Sequence, residues 1–99
     1  MTLGDWTLTV TGEVTRIDRE NIDKSGRNPK YLLSFIVKPE TLDAPAEARV
    51  PAQVQFNSHE RDLAQLTPTP PRVGDRVVMR GRGNGPAPAV FLLTSVERR

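Results

Sequence analysis

A chain of 99 residues, 36% hydrophobic and 26% charged, is long enough for one domain with a modest core and too short for two. With no cysteine and one histidine it excludes disulfides, thiol chemistry and a zinc site of several ligands, and no apolar run reaches the roughly 20 residues that cross a bilayer. The net charge is only +2, yet most of the 14 basic residues are arginine, which keeps its charge, forks onto phosphate and stacks on flat rings, so their placement matters more than their number.

The first residues, MTLGDWTLTV, lack the charged and apolar regions of a signal peptide, so a cytoplasmic protein is expected. Residues 6–17 (WTLTVTGEVTRI) alternate with period two. Trp6, Leu8, Val10 and Val14 fall on one side and Thr7, Thr9, Thr11, Glu13 and Thr15 on the other, which predicts a half-buried strand. Gly12 lies on the apolar side, where a missing side chain marks a bulge or a sharp bend. The polar run 18–29, with its SGRNP turn signals, predicts an exposed loop. KYLLSFIVKP (30–39) predicts a second strand ended by Pro39.

After the loop ETLDAPAEA, RVPAQVQFN (49–57) predicts a third strand with Val50, Ala52, Val54 and Phe56 inward and Pro51 at an edge or bulge. SHERDLAQL (58–66) predicts a short helix with Ser58 as N-cap, Glu60 and Asp62 in the first turn, and Leu63 and Leu66 on one face. TPTPP stops it. DRVVMRGRG and AVFLLTSVE predict two further strands joined by the turn-rich NGPAP. Five strands with a short helix between the third and fourth is the order of the OB-fold barrel, so residues 1–99 are expected to form one all-β domain of that kind.

VGDRVVMRGRG also resembles the start of the fourth strand in bacterial single-stranded DNA-binding proteins, a Gly-Asp turn followed by an alternating β-branched strand and a glycine. Gly74, Asp75, Val77, Met79 and Gly81 carry that likeness. LTVTGEVTR is similar to the family's first strand, with Gly12 at the bend, and FNSHERDLAQL to its third-strand end and helix. The resemblance extends to the primosomal replication proteins of the same superfamily. It implies single-stranded DNA binding with little sequence preference, in replication, recombination or repair, and a homo-oligomer, with a dimer favoured. Replicative members continue into a tail with an acidic, apolar tip that recruits partners; here the sequence stops at TSVERR, immediately after the last strand, so that recruiting function is not expected.

The residue chemistry supplies its own argument. In DRVVMRGRG the alternation sets Val77, Met79 and Gly81 on one face and Arg76, Arg80 and Arg82 on the other, a line of cations suited to a phosphate backbone. The competing reading pairs Arg76 and Arg80 with carboxylates of neighbouring strands, or Arg76 with the adjoining Asp75. Arg16, Arg19, Lys24, Arg27 and Lys30 in and around the first loop are further candidates, since that loop and the one between the last two strands flank the ligand groove of an OB-fold. Tyr31 and Phe91 are candidate stacking platforms, Phe91 because its parity opposes that of Val90, Leu92, Thr94 and Val96. Phe35 and Phe56 belong to the core by pattern, and Trp6 fits core, oligomer contact or stacking.

No catalysis, cofactor or metal is expected. His59 has no second histidine or cysteine to share a metal, and GRGNG lacks the lysine and hydroxyl of a P-loop. The alternatives to DNA are a protein-interaction adaptor barrel and a single-stranded RNA-binding barrel.

Overall fold

The computed structural model describes residues 3–23 and 25–99. Five strands, β1 (Asp5–Asn21), β2 (Tyr31–Asp43), β3 (Val54–His59), β4 (Arg76–Asn84) and β5 (Phe91–Arg98), close into a barrel in the order β1-β2-β3-β5-β4. One helix, α1 (Glu60–Leu66), lies between β3 and β4. All neighbours are antiparallel except β3 and β5, which run parallel through Phe56–Phe91 and Asn57–Leu92. This is the expected OB-like all-β barrel. No helix is long and apolar enough to cross a membrane.

Alternation builds the core. The side of β1 read as apolar is buried at Trp6, Leu8, Val10 and Val14, and it meets Leu33, Phe35 and Val37 of β2, Val77 and Met79 of β4, and Leu63 of α1. Trp6 is a core residue: its ring meets Phe91 edge-on at 5.3 Å and its indole N–H donates to the Gly85 carbonyl at 2.8 Å. Phe56 completes the aromatic cluster, 6.0 Å from Phe91.

Several boundaries move. β1 extends through residues 18–21, because its polar end pairs with Tyr31 to Ser34 as a hairpin that needs no apolar side. Pro39 does not end β2. It sits opposite Gly12 beside a register shift, on the part of β2 that β3 does not pair, so its missing N–H leaves no ladder bond broken. β3 begins at Val54 rather than 49: the Arg49 N–H donates to the Pro86 carbonyl, which ties the 44–53 loop to the 85–90 loop instead of to the sheet. Ala52, expected inside, is exposed. Ser58 is no helix cap but a buried β3 residue whose hydroxyl donates to the His59 carbonyl; His59 precedes the helix with no side-chain cap bond.

Two glycine sites shape the closure. At Gly12 an added Cβ would overlap the Lys38 carbonyl, so β1 and β2 approach there as no other residue allows. Gly74, at φ +94°, makes the turn that leads into β4, and its N–H donates to the Val14 carbonyl while the Val14 N–H donates to Asp75. Gly12→Ala should therefore lower the unfolding free energy by about 1–3 kcal/mol, read from the denaturant midpoint, because only backbone could yield. Gly4→Ala, which meets nothing within 4 Å, should leave that midpoint unchanged.

Candidate nucleic-acid interface

β4 carries the arginine line outward as the alternation requires: Val77, Met79, Gly81 and Gly83 are buried, and Arg76, Arg80 and Arg82 are exposed. The two glycines accommodate aromatic rings. A Cβ at Gly81 would stand 2.7 Å from the Phe56 ring, and one at Gly83 would stand 2.6 Å from Phe91. In register, Arg82 lies between Thr7 of β1 and Leu92 of β5, Arg80 between Thr9 and Ser95, and Arg76 beside Glu13 and opposite no β5 residue of the ladder. The line is bordered by threonine, serine and one leucine, with Glu13 opposite Arg76 at its start and the exposed Glu97 of β5 opposite Val78 between Arg76 and Arg80.

The three guanidiniums differ in what they touch. Arg82 pairs with Asp5 at 3.2 Å, and Asp5 also accepts from the Asn84 amide. Arg76 pairs with Glu40, which the bulged part of β2 brings across. Arg80 has no ion-pair partner among the described residues. The competing reading thus applies to Arg76, though its partner is Glu40: Asp75 pairs with Arg98 at 3.3 Å and accepts the Arg72 N–H.

The basic residues of the first hairpin divide as well. Arg16 pairs with Asp18 at 3.1 Å, and Arg19, on β1 rather than in the loop, pairs with Glu60 of α1 at 3.1 Å. The Arg19 guanidinium also lies 3.5 Å from the centre of the Tyr31 ring, so Arg19 already covers part of the platform expected for a base. Arg27 and Lys30 are exposed and make no ion pair among the described residues. Lys24 lies outside the described residues. Tyr31 and Lys30 line a cleft with Asn28, Pro29 and the start of α1, where Glu60 and Asp62 offset Lys30 and Arg61.

Phe91 is not a stacking platform. Its side chain is 0% exposed and packs between Trp6 and Phe56. The register between β4 and β5 slips between Arg80 and Gly81, leaving Thr94 as an extra residue. Phe91 and Leu93 therefore face inward before the slip and Val96 after it, while Val90 and Leu92 are exposed at 40% and 56%. Sequence reasoning missed this apolar pair, and also Asp5 and Glu40 as partners of the line.

The loops expected to flank the groove stand at opposite ends of β1: residues 22–30 follow Asn21, and residues 85–90 follow Asn84, which pairs with Asp5. Between them the outward residues of β2, β3 and β5 include Leu32, Ser34, Ile36, Gln55, Asn57 and Leu92, none of them charged. The first loop is organised around Asp23, whose carboxylate accepts the Ser25 hydroxyl at 2.7 Å and the backbone N–H groups of Ser25 and Asn28.

Comparisons of the chain with protein-family models, with curated proteins and with solved structures each found no match.

The Ser25 hydroxyl bond first, then the two N–H groups and nearby Lys30, hold the Asp23 carboxyl below its ordinary 3.8. A depressed folded-state pKa contributes stability that is present above the unfolded value and lost as pH falls through the folded one. The loop should stay ordered at neutral pH and loosen only below about pH 3.8. Amide exchange at Ser25 and Asn28 should then rise, and Asp23→Asn should produce faster exchange at neutral pH.

Proposed function

We propose that this barrel binds single-stranded DNA with little sequence preference, as a cytoplasmic, non-enzymatic protein of replication, recombination or repair. The observation that carries the reading is the line of three exposed arginines on the outer face of β4, with Arg80 free of any carboxylate among the described residues. Along the strand Arg80 and Arg82 stand roughly 6–7 Å apart and Arg76 roughly 13 Å from Arg80, a row of cations that a flexible single strand can follow with its phosphates. The outward Leu32, Ser34, Ile36, Gln55, Asn57 and Leu92 form an uncharged part of the surface of β2, β3 and β5 beside the line, which leaves the phosphate contacts of β4 as the dominant attraction and supports weak sequence preference.

A homodimer fits the same reading, because two barrels double the length of the track, and residues 15–21 of β1 pair with β2 alone among the described strands. A second reading, a protein-interaction adaptor, is favoured by the exposed Val90 and Leu92 beside the Asp5–Arg82 pair. The RNA reading shares the arginine line and is separated from DNA by the probe.

Binding of labelled single-stranded DNA, duplex DNA and RNA across a salt series tests these together. Single-stranded DNA should bind best, with log affinity falling linearly against log salt by about 0.7 per phosphate neutralised. A flat response supports the adaptor. Arg80→Ala should weaken single-strand binding and move the unfolding free energy by no more than about 0.5 kcal/mol. Arg98→Ala, whose arginine is paired with Asp75 away from the middle of the line, should leave affinity near the parent's.

A further inference from the structure

The two ends of the β4 line are each held by a carboxylate from another strand, and the middle is not. Asp5 is the first residue of β1 and Glu40 is the extra residue of β2 at the register shift beside Gly12; neither adjoins β4 in sequence. We propose that Asp5 and Glu40 are built-in competitors for nucleic-acid phosphates, so that Arg80 is the guanidinium a strand engages first and Arg82 and Arg76 become available only when their carboxylates are displaced. This rests on the single-strand reading above.

The geometry suits such an exchange. In both pairs each side chain remains about half accessible, between 46% and 59%, so the carboxylate can turn into water without a buried charge being stranded. A phosphate oxygen offers the guanidinium the same charge-assisted, forked contact that the carboxylate gives up. The net gain at Arg76 and Arg82 is therefore the difference between two similar interactions, whereas at Arg80 no internal contact is lost. Asp5 has a second tie, to the Asn84 amide, which keeps it beside Arg82 when the guanidinium turns away and lets it return. Affinity is thus held down by two residues that touch the binding surface and repel the ligand.

The test compares the parent with Asp5→Asn/Glu40→Gln and with Glu47→Lys, which reverses one exposed carboxylate that makes no ion pair among the described residues and so matches the change of +2 in net charge. Each protein is titrated with a labelled oligothymidylate over a salt series, and its thermal midpoint is recorded. The account expects Asp5→Asn/Glu40→Gln to bind tighter at low salt by up to about five-fold for each carboxylate removed. Its salt slope should steepen by up to about 1.4, two further phosphates at about 0.7 each, while the matched control keeps the parent's slope. If the parent binds but the Asp5/Glu40 variant matches it, or the control gains as much, the competitor proposal is overturned and single-strand binding stands. If none of the three binds, the single-strand reading fails and the proposal falls with it. Asp5→Asn and Glu40→Gln are also measured singly, so that a fault in one fold does not hide the other.

Discussion

The structure depends on the packing of Phe56 and Phe91 against the glycine end of β4. Beyond Val77 and Met79, Gly81 and Gly83 leave the inner face of that end bare, and the two rings lie where Cβ atoms would otherwise stand. Each buried phenylalanine contributes roughly 1.5–3 kcal/mol by leaving water, and the edge-on contact with Trp6 adds about 0.5–1.5 kcal/mol. That close approach lets β5 reach both β4 and β3, which closes the barrel. The same alternation that turns glycine inward turns Arg80 and Arg82 outward, so one stretch, MRGRG, serves the core with one face and the solvent with the other.

Closure also determines the electrostatics of the outer face. Joining β4 to β1 brings Asp5 against Arg82 from 77 positions away, and the bulge at Gly12 brings Glu40 against Arg76 from 36 positions away. A flat sheet with the same arginines would present three equivalent cations. The barrel presents one free cation between two held ones, among the described residues, and an electrostatic account of this surface has to treat them separately.

Much of this was legible in the sequence where period-two alternation is clean. The buried side of β1, the inward Val77 and Met79 and the outward arginines follow from parity alone, and the strand-helix order follows from turn residues. Legibility fails where both parities are apolar: in AVFLLTSVE the alternation of Val90 and Leu92 competes with that of Phe91 and Leu93, and only the larger ring and the register slip decide between them. Pro39 misleads because a proline stops a strand only when its N–H is wanted, and β3 does not reach that far along β2. Arg19 reads as loop because residues 18–21 are polar on both sides, and its stacking on Tyr31 needs the pairing of β1 with β2 to be known. The ion pairs of Asp5 and Glu40 carry no local signal.

The central claim is that the outer face of β4 is the surface that meets nucleic acid. Side-chain Nε–Hε signals of ¹⁵N-labelled arginine, followed while a single-stranded oligonucleotide is added, test it most directly. Arg80 should shift at the lowest ligand ratio and Arg82 and Arg76 later, as their carboxylates are displaced, with Arg98 little changed. Saturating shifts confined to other arginines, or to Val90 and Leu92, with the β4 guanidiniums unmoved, would contradict it.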